Sequence, residues 1–245
     1  MKKITYDIEW ELERTHWWFI GRRRLLRLLL SSLNMKKDSF VIDVGCGVGS
    51  NLTLLKSMGF KVIGIDSQIY ALSYAKKLSG VPLANGDLLR LPVKSDSIGL
   101  IIATDILEHL NEDRIGIKEI YRSLEQGGKV LITVPAFRFL WGRQDIAGMH
   151  QRRYSKKELL RKMKQEGFTV LKSSYFNFVL FSPIFVVRRV IRLIGLNIES
   201  ENNINFPLIN FFLKTIFSLE LCLLKYVSFP FGVSILCIAR KNEGT

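Results

Sequence analysis

The chain has 245 residues, 48% hydrophobic and 11% aromatic, with a formal net charge of +14. This apolar content excludes a disordered segment, and the length suits one domain with an embellishment. The cysteines, Cys46, Cys222 and Cys237, fit neither a metal-ligand spacing nor a disulfide framework and point to a reducing compartment. The charge is local: residues 151–192 hold 11 basic against 2 acidic groups, whereas residues 34–150 hold 14 against 12. A basic concentration of this kind suggests an anionic partner rather than general solubility.

The N-terminus MKKITYDIEWELERT has no apolar run behind its lysines, so no cleaved signal peptide is expected and the chain is placed in the cytoplasm. The aromatic and basic stretch HWWFIGRRR, residues 16–24, follows. From residue 39 short apolar runs alternate with helical stretches. SFVIDV (39–44), KVIGID (61–66), VPLANGD (81–87), IGLIIAT (98–104) and KVLITVP (129–135) read as strands covered on both faces. Between them NLTLLKSMG, QIYALSYAKKLSG and RIGIKEIYRSLEQGG have helical spacing and end in glycine. SKKELLRKMKQEG opens with Ser155 and Glu158 in a capping-box arrangement, FTVLKSSYF is a sixth strand, and VSILCIARK (233–241) is the last. Alternating strand and helix predicts a doubly wound α/β fold with ligands outside the carboxyl ends of the strands.

VIDVGCGVGS places Asp43 at the end of the first strand, ahead of Gly45, Gly47 and Gly49. Glycines here permit a tight turn and let backbone approach a ligand at the next helix. The spacing GxGxG departs from the dinucleotide fingerprint, because Ser50 stands where its third glycine would be. Asp66 closes the second strand, where a carboxylate can accept ribose hydroxyls, and Asp87 follows the third. Together these describe a nucleoside pocket without a pyrophosphate grip.

DVGCGVGS, GID, GDLLRLPV, ATDILEHL and LEQGGKVLITVP, in this order, resemble the class I S-adenosylmethionine (SAM) dependent methyltransferases over roughly residues 39–176 and 233–241. The resemblance implies SAM as cofactor and a seven-stranded, mostly parallel sheet with an antiparallel last strand. By position it assigns Gly45, Gly47 and Gly49 to the methionine part, Asp66 to the ribose, and Asp87 with Leu88 to adenine. Asp43 would brace the loop or bind the amino group.

On one helical turn Asp105, Glu108 and His109 of ATDILEHL can point the same way. The segment is similar to the acidic-x-x-Glu-His pattern of ubiquinone-biosynthesis O-methyltransferases, which implies a divalent metal such as magnesium on those three residues. Asp105 stands where that pattern has Glu. PAFRFLWGRQDIAGMHQRRYSKKEL is similar to a loop of bacterial and archaeal methyltransferases associated with surface glycans. That similarity places Trp141, Arg152, Arg153 and Tyr154 beside the acceptor, with the arginines as candidate clamps for a phosphate or carboxylate. His150 is the candidate general base, and His109 and His16 are further candidates.

Residues 178–196, FVLFSPIFVVRRVIRLIGL, and 207–227, PLINFFLKTIFSLELCLLKYV, form an apolar insertion before the last strand. No uninterrupted apolar stretch reaches the roughly eighteen residues of a spanning helix. Arg188, Arg189 and Arg192 lie within one sector of a helix of about 100° per residue, which suits an anionic lipid interface. A peripheral membrane surface is therefore expected, with an intramolecular cap or dimer interface as the alternative.

Four parts are expected: a helical lid over 1–33, a SAM-binding core over 34–177, the apolar helical insertion over 178–232, and the last core strand and tail over 233–245. In the lid, Trp17, Trp18 and Phe19 would shield the methyl-transfer space. The expected activity is methyl transfer, at oxygen, to a small or lipid-linked acceptor at the cytoplasmic face of the membrane. A nucleic-acid acceptor is disfavoured: no (Asp/Asn)-Pro-Pro-(Tyr/Phe) motif follows the fourth strand, and Pro135 precedes Ala136 where an RNA cytosine enzyme would have Cys. The alternatives are an RNA methyltransferase using the basic 151–192 surface and a non-catalytic SAM-binding scaffold.

Overall fold

A computed structural model describes residues 3–35, 39–194 and 205–242. Its centre is a seven-stranded sheet: β1 (Phe40–Val44), β2 (Lys61–Asp66), β3 (Leu83–Asn85), β4 (Ile98–Thr104), β5 (Leu124–Pro135), β6 (Phe168–Phe176) and β7 (Ser234–Lys241). The order is β3-β2-β1-β4-β5-β7-β6. β1 to β5 pair in parallel, and β7 runs antiparallel between β5 and β6. Every residue of β4 is buried, which explains why this strand reads as an unbroken apolar run.

The core helices are α3 (Ser50–Ser57), α4 (Ile69–Ser79), α5 (Asp113–Ser123), the short α6 (Arg143–Ala147) and α7 (Lys156–Gln165). Ser155 caps α7 as expected, its hydroxyl accepting from the Glu158 N–H at 3.2 Å. One boundary differs from the sequence reading. The helix expected to run to Gly128 stops at Ser123, and Leu124–Gly128 belong to β5. Leu124 is fully buried and pairs with Ile98, and that pairing takes precedence over the helical spacing.

Two helices precede the sheet, α1 (Lys3–Thr15) and α2 (Trp17–Ser31); two lie in the insertion, α8 (Phe181–Ile194) and α9 (Pro207–Leu224). Residues 195–204, between the insertion helices, lie outside the described residues. Gly21 sits within α2, where a Cβ would lie 2.1 Å from Cδ1 of Phe217. Phe217 is fully buried, and the Trp18 ring lies nearly parallel to both Phe176 and Phe217, at 5.8 and 5.9 Å. The Trp17 N–H donates to Asn210 Oδ1 at 3.2 Å. Thus the N-terminal element and the insertion, far apart in sequence, pack into one layer.

α9 is continuous over 18 residues with mean hydropathy 1.6, so Lys214 and Glu220 do not interrupt it. By length and composition it could cross a membrane, although Lys214 and Glu220 leave no uninterrupted apolar run of that length, as expected. Its inner face is nonetheless docked. Glu220 is buried, and its Oε2 accepts the N–H groups of Phe178 at 2.7 Å and Val179 at 3.0 Å.

Gly21→Ala is expected to lower stability by about 1–3 kcal/mol through overpacking against Phe217, measured by urea unfolding. Combined with Phe217→Leu, the loss should be smaller than the sum of the single losses. Strict additivity would show that the two residues do not share this contact.

Candidate active site

β1 and β4 are neighbours, but the chain leaves β1 for β2 on one side and β4 for β5 on the other. Their carboxyl ends therefore open a crevice between diverging loops. Gly45 lines it with φ of 69°, while Gly49, with φ of 94°, begins the next helix behind the loop and is not part of the lining. A Cβ would stand 2.6 Å from Ile106 Cδ1 at Gly45 and 2.8 Å from Ala75 Cα at Gly49, so both the backbone conformation and the space require glycine. Asp66 ties the loop to the end of β2: its Oδ2 accepts from the Gly47 N–H at 2.9 Å and its Oδ1 from Gln68 N–H at 2.8 Å.

Asp43 is fully buried beneath this loop and neither carboxylate oxygen has a hydrogen-bond partner; burial raises its pKa to about 8. Asp87 and Leu88 are placed differently from the expectation. The Asp87 carboxylate folds back onto its own turn, accepting from the Leu89 N–H at 2.9 Å, while Leu88 is buried in the core. Neither lines the cavity.

The cavity above the crevice holds about 640 Å³. Gly45, Cys46, Gly47, Asn51, Thr104 and Asp105 form its floor. Its roof is the N-terminal element, through Glu9, Glu13, His16, Trp17, Trp18, Phe19 and Arg22. Leu180, Ile184, Val187, Ile209 and Leu213 supply an apolar side from the insertion. The three lid aromatics therefore reach the cavity and also pack the roof together. Arg22 turns inward, pairs with Asp105, and lies 3.9 Å from Glu13.

Asp105 has φ 53°, a conformation costly for a side-chain-bearing residue, and is held there by Arg22 and by Thr133 Oγ1 at 3.1 Å. The expected metal set Asp105, Glu108 and His109 consequently does not come together. Glu108, His109 and His150 do, with one ligand atom of each within 4.8 Å of the others. Two imidazoles and one carboxyl whose pKa burial and Asp105 push well upward are not a magnesium donor set, which calls for several ionised or carbonyl oxygens. Both Glu108 carboxyl oxygens are buried without a hydrogen-bond partner.

The histidines divide by environment. His16 caps α2, its Nδ1 accepting from the Trp18 N–H at 3.3 Å, and burial lowers its pKa to about 4. His109 is lowered to about 4 by desolvation and then by His150, whose ring meets it edge to face at 4.8 Å. Neither suits base catalysis near neutrality. His150 is oriented instead by a carboxylate: its Nδ1 lies 2.9 Å from Asp145 Oδ1. Asp145 also accepts from Arg153 Nε at 2.8 Å and from the Gly142 N–H at 2.7 Å. Burial opposes its ionisation, but His150, Arg153 and Gly142 outweigh that and bring its pKa to about 2.

The remaining acceptor-side expectations are redistributed. Arg153 lines the cavity with its guanidinium engaged by Asp145 and the Ala136 carbonyl. Arg152 bonds the Asn111 carbonyl at 2.6 Å and pairs with Asp113, so neither arginine stands as a clamp in the cavity. Tyr154 is fully buried and donates to Asp113 at 2.7 Å, away from any acceptor space. Trp141 lies outside the lining, its carbonyl accepting from Arg192. The sequence reading passed over Glu9, Glu13, Asn51 and Asn177, all of which line the cavity. The acidic spacing in DIEWELE was visible, but nothing in it showed that the helix would fold over the glycine loop.

Residues 42–132 match the methyltransferase domain family. A probable S-adenosylmethionine-dependent methyltransferase of Mycolicibacterium smegmatis is 27% identical over 133 residues, covering 53% of this chain and 52% of the relative. An uncharacterised protein of Methanocaldococcus jannaschii is 34% identical over 109 residues, covering 44% and 46%. The chain thus spans about half the length of these curated relatives. Among solved structures, Haemonchus contortus phosphoethanolamine N-methyltransferase 2 in complex with SAM matches with a TM-score of 0.59 at 20% identity, over 90% of this chain and 52% of that one. Residues 42–132 thus match a methyltransferase domain, and the sheet order with the glycine loop at its switch point is the arrangement the class I SAM-dependent methyltransferase resemblance implies.

Proposed function

We propose that the chain moves the methyl group of SAM to an oxygen of a small or lipid-linked acceptor at the inner face of the membrane. One observation carries this reading: a single cavity joins the glycine loop to His150 and then to the apolar side built by α8 and α9. The cradle suits SAM, because the bare backbone of Gly45 and Gly47 faces the cavity and Asp66 is hydrogen-bonded to that backbone. When bound, SAM supplies an electrophilic methyl on a sulfonium leaving group. Gly45 and Gly47 would face its methionine part, and Asp66 retains acceptor capacity for the ribose hydroxyls. With Nδ1–H donated to Asp145, His150 keeps Nε2 free to take the acceptor's hydroxyl proton, and Asp145 stabilises the imidazolium that results. The aromatic roof excludes water from the transfer.

The membrane side of the reading is supported by α8, which has no buried residue, and by α9, whose Leu208, Phe211, Phe212, Leu219 and Leu223 are exposed. Part of the neighbouring basic run is internal: Arg153 serves Asp145, Arg152 and Lys162 serve Asp113, and Arg192 bonds the Trp141 carbonyl. This lessens the surface that an RNA acceptor would need.

Tritium-labelled SAM incubated with the protein and a cell extract should deliver label to the organic-soluble fraction; label recovered in RNA would reject a lipid-linked acceptor. His150→Gln should slow turnover by about 10²–10⁴-fold with SAM affinity nearly unchanged, and a loss smaller than about fivefold would remove His150 as the base.

Asp145 yields a pH signature. Its folded pKa lies below the unfolded value, so its contribution, about 2 kcal/mol, is complete above about pH 4 and fades as pH falls toward 2. Urea unfolding should show the gap between wild type and Asp145→Asn narrowing over that window. For the membrane, Leu193→Asp with Leu219→Asp should reduce co-sedimentation with phosphatidylglycerol vesicles severalfold; unchanged binding would remove this face from the reading.

A further inference from the structure

We propose that Glu9 is a cofactor-binding residue, its carboxylate receiving the ammonium group at the methionine end of SAM, so that α1 is the charge-reading wall of the site. The inference rests on the reading of the cavity as a SAM site. α1 is fixed over the crevice by Trp10, whose ring lies 5.5 Å from Tyr74 of α4, and by the hydrogen bond from the Tyr74 hydroxyl to Asp7. This brings Oε1 of Glu9 within 3.4 Å of the point a Cβ on Gly47 would occupy. The Glu9 carboxylate therefore lies directly against the bare backbone of the glycine loop.

Charge makes the position informative. The protein carries a net +14, yet Glu9, Glu13, Asp105 and Glu108 all line the one cavity. Arg22 answers Asp105 and Glu13, and Arg153 is held by Asp145. Among the described residues Glu9 has neither a hydrogen bond nor an ion pair, and buried Glu108 leaves both carboxyl oxygens, like Oε2 of buried Glu13, without a hydrogen bond. Carboxylates at positions i and i+4 of a helix repel each other, so Glu9 and Glu13 disfavour α1 by themselves. A cationic ligand reverses that penalty. Burial first, and then Glu13, hold the Glu9 carboxyl up at about 7, with Arg22 pulling down and Asp66 pushing up; these are the charged groups that face it. A cation arriving at neutral pH would therefore expel a proton from the site.

Isothermal calorimetry on wild type, Glu9→Gln and Glu9→Asp tests this with three probes: SAM, S-adenosylhomocysteine and 5′-methylthioadenosine, which lacks the ammonium group. Glu9→Gln should weaken SAM and S-adenosylhomocysteine by about tenfold or more and leave methylthioadenosine within about twofold. Glu9→Asp should recover part of the loss. At pH 7 wild type should bind SAM with an enthalpy that differs between phosphate and Tris buffers, and Glu9→Gln should lose most of that difference. The Gln variant should melt no lower than wild type, because it relieves the like-charge pair. Equal weakening of all three probes would assign Glu9 to packing and overturn the proposal, as would SAM binding by Glu9→Gln unchanged from that of wild type. A wild type that binds none of the probes would overturn the cofactor reading itself.

Discussion

Phe217 requires glycine at position 21, and from that close approach the arrangement of the site follows. A Cβ at Gly21 would stand inside the Phe217 ring's contact distance, so α2 and α9 can approach only because one side chain is missing. Trp18 lies against the same phenylalanine and against Phe176 at the end of β6. The roof is thereby fastened both to itself and to the sheet. Without this packing, Trp17, Trp18 and Phe19 would have no fixed position over the crevice, and the apolar side supplied by the insertion would not meet the glycine loop in one cavity.

Asp145 plays the corresponding part on the acceptor side. It is fully buried and receives three donors, from His150, Arg153 and Gly142. A buried carboxylate with fewer partners would be driven toward neutrality, as the unpartnered Asp43 illustrates. The partner set keeps Asp145 anionic, and an anionic Asp145 in turn fixes which nitrogen of His150 faces away from it. Arg153 is needed for that ionisation and is not available to bind an external anion. A sequence containing HQRRY therefore uses its two arginines internally, one on Asp145 and the other on Asp113.

The centre of the sheet was legible in the sequence because β1 and β4 are buried on both faces and so spell continuous apolar runs. The glycine loop was legible for a similar reason: φ above zero and absent Cβ space leave few residue choices. What escaped was set by tertiary geometry. Leu124 could have continued a helix or begun a strand, and only its partner Ile98 decided between them. Tyr154 and Arg152 carried the residue types of a substrate site, but Asp113 on another helix captured both. Gly21 had no local explanation, because its purpose lies nearly two hundred positions downstream, in Phe217. Glu9 and Glu13 have the spacing of an ordinary solvated helix face, and their inward direction depends on how α1 seats against Tyr74.

Charge is sorted by the same roof that shapes the cavity. Basic groups dominate the chain as a whole, while the lining of the cavity concentrates carboxylates. Under the proposed function these serve opposite partners, a cationic cofactor inside and an anionic lipid surface outside. If both sets of charges shared one aqueous surface they would screen and neutralise each other over about 8–10 Å. Separating them requires a layer that excludes water and so has a low dielectric constant, which the packed aromatics of α2, α9 and β6 provide. The aromatic content of HWWF thus has an electrostatic consequence beyond shape: it lets an acidic site persist inside a basic protein, where its attraction for a cation is stronger than it would be in water.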